Sequence, residues 1–86
     1  MRELEKSYKA LANRRRLAIL KYLKAGREHS VGQIAKEIEL SFKSTSRHLA
    51  VLRAAGIVER DQIDLLAYYR LVPVQNTVTK HALSLL

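Results

Sequence analysis

At 86 residues the chain has the length of one small domain, which we assign to residues 1–86. Apolar residues make up 48% of it, which indicates a folded domain rather than a disordered one, and the absence of cysteine excludes disulfides, thiolate metal sites and thiol switches. The net charge of +8 favours a polyanionic partner, nucleic acid first and an anionic membrane surface second.

Neither the first ten residues nor any later stretch has the apolar run of a signal peptide or of a membrane span, which needs about 18 residues. We therefore expect a cytoplasmic protein with no membrane partner. The positive charge is uneven along the chain. Residues 1–27 carry nine Lys and Arg against two Glu, and residues 41–56 carry three basic residues and no acid.

Two helices are predicted in the first third of the chain, Arg2–Ala12 and Arg14–Ala25. Leu4, Tyr8 and Leu11 mark one face of the first helix. Asn13 and Gly26 have the residue types that begin and end the second.

Three arginines, Arg14, Arg15 and Arg16, occupy the first turn of the second helix, where the helix dipole favours acids. Compensation must come from a neighbouring carboxylate or from a bound phosphate. For Arg16 we predict an acidic partner within the protein.

The middle of the chain predicts two helices joined by a very short connector. Ser30–Leu40 begins with the spacing of a capping box, Ser30 with Gln33, and Glu39–Leu40 leads directly to Ser41, a second candidate N-cap. Two helices so closely linked predict a helix-turn-helix, in which the second helix lies in the DNA major groove.

The second of these helices, Ser41 to Gly56, has two distinct faces. The spacing of its apolar stripe predicts that these residues are buried: Phe42, Thr45, Leu49 and Leu52. Donors and positive charge without any acid occupy the other side: Lys43, Ser44, Ser46, Arg47 and His48. Such a flank suits phosphates and base edges, although a solvated amphipathic helix has the same pattern.

The last third predicts a β-hairpin followed by a helix. The strands are Ile57–Gln62 and Leu65–Val72, with the tip near Gln62–Asp64. Pro73 is expected to begin a helix over Val74–Leu86, because proline is tolerated in a first turn. That apolar helix either forms a dimer surface or completes the core of the monomer.

Three segments together resemble the ArsR/SmtB-type winged helix-turn-helix transcriptional regulators: LANRRRLAIL (11–20), STSRHLAVLRAAGIV (44–58) and YYRL (68–71). The resemblance implies a mainly α fold with a small β-hairpin, a homodimer joined through the first and last helices, and a repressor released from its operator by an effector, here unknown. The dimer residues expected on those helices are Leu4, Tyr8, Leu11, Val74, Val78, Ala82 and Leu85.

Two departures from that family pattern alter the expectations. Cysteine or His–carboxylate metal ligands are lacking, because His81 stands alone on the last helix, so we predict no sensory metal and no cofactor. The hairpin, or wing, is acidic rather than basic: Asp61 and Asp64 are expected to repel phosphate, which leaves Arg60 as the helpful cation.

The leading hypothesis is therefore a sequence-specific regulator that binds double-stranded, palindromic DNA as a homodimer. The residues expected to contact DNA are Gln33, Ser41, Lys43, Ser44, Thr45, Ser46, Arg47, His48, Arg53 and Arg60, with His48 binding phosphate more strongly when protonated. An enzyme is not indicated, since the three histidines are scattered and lack an orienting acid. The alternative from another class is a winged-helix protein-interaction module that does not bind DNA.

Overall fold

Five helices and one three-stranded antiparallel sheet form the chain, whose computed structural model describes residues 1–86. The elements are α1 (Arg2–Leu11), α2 (Arg14–Leu23), β1 (His29–Ser30), α3 (Val31–Glu37), α4 (Phe42–Ala54), β2 (Val58–Ile63), β3 (Leu66–Leu71) and α5 (Thr77–Ser84). This is the predicted winged helix-turn-helix order, with one strand added.

The added strand is β1, in the segment that we expected to be loop. It pairs with β3 in the register His29↔Tyr69 and Ser30↔Tyr68, which gives the sheet order β1-β3-β2. Two residues carry no periodicity, so the local pattern does not predict this strand.

The predicted helix caps are present at three helix starts. The side chain of Asn13 accepts from the backbone N–H groups of Arg15 and Arg16 at 2.9 and 3.1 Å. Ser30 and Gln33 form the reciprocal capping box, with distances of 3.2 and 2.9 Å. Ser41 Oγ accepts from the backbone N–H of Ser44 at 3.1 Å. These side chains satisfy amides that no helical carbonyl reaches.

The turn between α3 and α4 depends on a residue in the left-handed region. Glu39 has a φ of +55°, and the amide of Leu40 donates to the carbonyl of Ala35 at 3.0 Å, which closes the C-terminus of α3. Gly56 ends α4 in the same way, with a φ of +74° and a bond from Ile57 to Leu52. A glycine adopts this conformation at low cost, whereas Glu39 is strained there.

The core lies among α2, α3, α4 and the start of β2. Its fully buried aliphatic side chains are Ile19, Leu20, Leu23, Ile34, Leu49, Leu52, Ile57 and Val58. Packing of α4 against this core leaves the opposite flank of the helix facing outward.

The last helix is shorter than predicted. It begins at Thr77, where the side chain of Asn76 accepts from the amide of Thr79 at 2.8 Å, so Asn76 rather than Pro73 is the start signal. Asn76 also donates to Ser7 of α1 at 2.8 Å, which joins α5 to α1. Val74 lies in the preceding loop and is exposed, so its assignment to the helical stripe was wrong.

Candidate nucleic-acid interface

The outward flank of α4 carries exposed positive charge without internal neutralisation. Lys43 and Arg47 are exposed, and Ser44 and Ser46 are partly exposed. None of the five ion pairs in the chain involves a residue of α4. The two cations are therefore available to a polyanion outside the protein.

The apolar stripe of α4 is narrower than predicted. Leu49 and Leu52 are buried as expected, but Phe42 is 62% exposed, so its placement in the stripe was wrong. As the first residue of the helix, it lies beyond the core and borders a groove of about 260 Å³ beside the wing, whose lining includes Arg60 and Leu66.

Thr45 corrects the list of DNA-contacting residues. Its side chain is fully buried, and its Oγ1 has no hydrogen-bond partner. A group that solvent does not reach is not available to DNA. The prediction that Thr45 offers a hydroxyl to DNA was therefore wrong, and the residue belongs to the buried stripe only.

Two other predicted contacts already have a structural role. Ser41 Oγ and Gln33 Oε1 each accept a bond from a backbone amide at a helix start, although both residues are exposed. The hydroxyl proton of Ser41 and the amide N–H₂ of Gln33 remain as donors. Both side chains are consequently held in place at the N-terminal ends of α3 and α4.

Arg16 has no acidic partner, contrary to prediction. Its Nε donates to the carbonyl of Ala10 at 2.6 Å and its Nη2 to that of Lys9 at 2.9 Å, while Nη1 lies 3.3 Å from Nδ1 of His48. Arg16 thus stabilises the C-terminal end of α1, where carbonyls lack helical partners and the dipole is negative.

His48 is partly buried beside α2. Burial lowers its pKa below the usual value of 6.5, and the positive charges of Arg16 and Arg15 lower it further. The lowered pKa favours the neutral ring in the free protein at neutral pH, and stronger binding of phosphate by the protonated ring stays a prediction.

The arginine cluster at the start of α2 adds to the basic surface of α4, a feature that we did not assign to the site. Arg14 is exposed, Arg15 is partly exposed, and the charge of Arg15 acts on His48 of α4. The signal in the sequence was the placement of three arginines at the unfavourable end of a helix.

The wing is less acidic in effect than its sequence indicates. Arg70 on β3 pairs with Glu59 at 2.9 Å, with Glu28 at 3.5 Å and with Asp61. The hydrogen bond to Asp61 and the two strand carboxylates raise the pKa of Arg70. Asp61 is therefore compensated within the chain, whereas Asp64 at the tip forms no ion pair.

The two remaining cations of the predicted site are exposed. Arg60 donates to Gln62 on the same strand at 2.7 Å. Arg53 lies in the last turn of α4 and borders a shallow groove with Tyr69 of β3. The structure therefore places Arg60 on the wing and Arg53 at the far end of α4 from Lys43.

An apolar groove of about 400 Å³ lies between α1 and α5. Tyr8 and Leu85 border it and are 58% and 73% exposed, whereas Leu11 is 8% exposed and mostly part of the core. The other residues along it are Ala12, Leu17, Val78, His81, Ala82 and Leu86. Leu4, on α1, is 46% exposed.

Residues 1–86 contain no group of three histidine, cysteine or acidic residues that is able to hold a metal ion. No helix is both long and apolar enough to cross a bilayer. Ser44 and His48 make no hydrogen bond with each other, so α4 carries no assembled serine–histidine pair.

Residues 13–60 match the family described as bacterial regulatory protein, arsR family. The transcriptional activator HlyU of Vibrio cholerae is 43% identical over 63 residues, which cover 73% of this chain but 57% of that relative. The chain thus spans little more than half the length of this curated relative.

Solved structures agree with the fold. HlyU from Vibrio cholerae has a TM-score of 0.80 at 36% identity, covering 96% of this chain and 86% of its own. A homodimeric winged helix-turn-helix DNA-binding domain from Mycobacterium bovis has a TM-score of 0.81 at 31% identity, and the match covers 96% of this chain and 73% of that domain's chain. The transcriptional repressor BigR from Xylella fastidiosa has a TM-score of 0.77 at 31% identity, and the match covers 98% of this chain and 79% of the BigR chain. These relatives are regulators of transcription rather than enzymes.

Proposed function

Because this chain belongs to the ArsR family of bacterial regulatory proteins, we propose that it is a homodimeric, sequence-specific repressor that inserts α4 into the major groove of DNA. The observation that carries the proposal is the acid-free flank of α4, where Lys43 and Arg47 are exposed and unpaired. The N-terminal half of a helix in the major groove is the part that contacts base edges.

Each side chain on that flank suits a particular contact. The guanidinium of Arg47 is able to donate two parallel bonds to guanine O6 and N7, whereas Lys43 is a point charge suited to phosphate. Phosphate groups of DNA bind well near the N-terminus of a protein helix. Donors suited to them there are the hydroxyls of Ser44 and Ser46 and the free donors of Ser41 and Gln33. Arg53 and Arg60 would contact phosphates on either side.

The number of recognition helices in one protomer supports the dimer. The two half-sites of a palindrome lie about 34 Å apart, and each takes one recognition helix. One protomer has a single α4, so it fills only one half-site. A second copy joined through the α1–α5 groove would supply the other helix and cover the exposed apolar surface of Tyr8 and Leu85.

Repression requires only that the protein occupy its DNA, and BigR is described as a repressor. HlyU, by contrast, is described as an activator, so the sign of regulation is to be measured by transcription in vitro from a bound promoter. Loss of transcript on addition of the protein is expected. A rise in transcript would overturn the repressor assignment and leave DNA binding intact.

The test of DNA binding is a titration of two duplexes at two salt concentrations. One duplex is selected from a randomised pool, and the other is a scrambled sequence of the same composition. We expect tighter binding to the selected duplex, and affinity for both that falls linearly in log salt because phosphate contacts release counterions. Absent binding, or a response without salt dependence, would instead favour the protein-interaction module.

Arg47→Ala in the same titration is expected to weaken binding to the selected duplex by about 1–3 kcal/mol and to reduce discrimination against the scrambled one. Lys80→Ala is the control, since Lys80 is exposed on α5 and carries the same charge outside the α1–α5 groove. Equal losses on both duplexes would make Arg47 a phosphate contact only.

We further propose that DNA binding does not respond to metal ions. The absence of a triple ligand cluster in residues 1–86 supports this, and His81 is the only histidine on α5. Adding Zn²⁺ or a chelator to the titration is expected to leave the affinity unchanged. A reproducible shift with metal would disprove the proposal.

A further inference from the structure

Arg16 connects the end of α1 to the recognition helix through a single side chain. Two of its nitrogens donate to the carbonyls of Lys9 and Ala10, and the third faces Nδ1 of His48 at 3.3 Å. Because the guanidinium is planar and rigid, the first two bonds orient the third nitrogen toward the imidazole ring.

The chemistry of arginine determines the protonation of that ring. A guanidinium has only donors, so the ring nitrogen that meets it must offer a lone pair. Nδ1 of His48 is therefore the acceptor, and a neutral ring then carries its proton on Nε2.

The other ring nitrogen is free to contact DNA. No group of the chain bonds Nε2 of His48. The only buried side-chain polar atoms without partners are those of Thr45 and Thr79, so Nε2 reaches solvent. The two ring nitrogens point in nearly opposite directions, so with Nδ1 directed toward α2 the Nε2–H points away from it.

We propose that Arg16 is a positioning residue that holds His48 in the Nε2–H form, so that α4 offers a neutral donor to a phosphate oxygen of DNA. The role at DNA rests on the proposed function, whereas the protonation state of the ring does not. A permanent donor contacts phosphate without first taking up a proton.

The charges around the ring maintain this state. Arg16 and Arg15 face it from α2, Arg47 is its neighbour on α4, and no carboxylate forms an ion pair with His48. Burial and the charges of Arg16 and Arg15 lower the pKa of His48, so the ring takes up a proton at a lower pH than an ordinary histidine does. The contribution of His48 to DNA affinity should then be constant through neutral pH.

The direct test is the imidazole ¹⁵N spectrum of the full chain without DNA at pH 8. Its three histidines are distinguished by the loss of one signal set in His48→Gln. We expect His48 to show a protonated Nε2 and an unprotonated Nδ1. A protonated Nδ1, or a tautomeric average, would overturn the proposal whether or not the protein binds DNA.

A pair of arginine variants tests the cause. Arg16→Met is expected to give His48 an averaged tautomer and a pKa closer to 6.5. Arg14→Met removes the same charge two residues earlier on α2 and should leave the tautomer of His48 unchanged. An unchanged His48 spectrum in Arg16→Met would overturn the assignment. If Arg16→Met does not fold, as thermal unfolding would reveal, the tautomer of His48 in the wild-type spectrum tests the proposal.

The DNA arm uses His48→Leu, His48→Gln, Arg16→Met and the double variant Arg16→Met with His48→Leu. We expect the leucine variant to lose about tenfold in affinity, the glutamine variant to keep most of it through its amide donor, and the double variant to lose no more than the larger single loss. Multiplicative losses would mean that Arg16 acts independently of His48 and would overturn the positioning role.

Discussion

At the scale of the residue, side chains of the same chemical type differ in burial on α4. Thr45 and Ser44 are adjacent small hydroxyl residues, yet Thr45 is fully buried and Ser44 is partly exposed. Adjacent residues of a helix point in directions that differ by about 100°, so one step in sequence moves a side chain from the core to the outward flank of α4. The stripe predicted Thr45 correctly as a core residue, and counting it as a DNA contact as well was the error.

Thr45→Val is expected to stabilise the protein by about 1 kcal/mol, because it replaces a buried hydroxyl that has no partner with a methyl group of similar size. DNA affinity should not change. Chemical denaturation and the duplex titration measure the two effects.

Thr79→Val is the matched control, since Thr79 Oγ1 is likewise buried without a partner on α5. It should give a similar gain in the free energy of unfolding. A loss of DNA affinity in Thr45→Val, with Thr79→Val unaffected, would restore Thr45 to the interface.

At the scale of the element, the helix-turn-helix is positioned by its caps and by its turn. Ser30, Gln33 and Ser41 satisfy the first amides of α3 and α4, and Glu39 reverses the chain between the two helices. The caps are local signals and were predictable. The left-handed Glu39 was not, because glutamate carries no preference for that conformation.

Glu39→Gly is expected to stabilise the protein by about 0.5–1 kcal/mol, since glycine relieves the left-handed strain but adds freedom to the unfolded chain. Urea unfolding measures the change. Glu37→Gly removes the same charge two residues earlier, inside α3, where glycine should cost about 1 kcal/mol. Parallel changes in the two variants would mean that charge, not backbone strain, controls stability at this turn.

The wing shows why an element's charge cannot be counted from its own residues. Arg70 meets Glu59 directly across the β2–β3 pair and Asp61 diagonally, and it also reaches Glu28 in the loop before β1. These contacts require the strand register and the added strand β1. Sequence counting therefore overstated the repulsion at Asp61, whereas repulsion of phosphate by the unpaired Asp64 stays a prediction.

At the scale of the whole molecule, the basic surface and the apolar groove belong to different elements. The basic surface combines α4 with the start of α2, while the groove lies between α1 and α5. A dimer formed through the groove would leave the basic surface of each protomer open. Arg16 bonds the end of α1 and faces α4, so it connects the two regions.

Leu85→Glu is expected to raise the dimer dissociation constant by about 100-fold or more, because a two-fold interface would bury the new charge twice. Light scattering coupled to size exclusion measures the mass. Leu65→Glu is the control, since Leu65 is 94% exposed at the wing tip and should leave the dimer intact. A wild-type protein that stays monomeric at high concentration would refute the assembly itself.

The sequence by itself determined the order and type of the long elements, three helix caps, the glycine stops and the acid-free flank of α4, because each depends on residues close together in the chain. Only the tertiary structure decided the burial of Phe42 and Thr45, the partners of Arg16 and Arg70, the lowered pKa of His48 and the short strand β1. These depend on neighbours distant in sequence, whose burial and charge act only once the chain has folded.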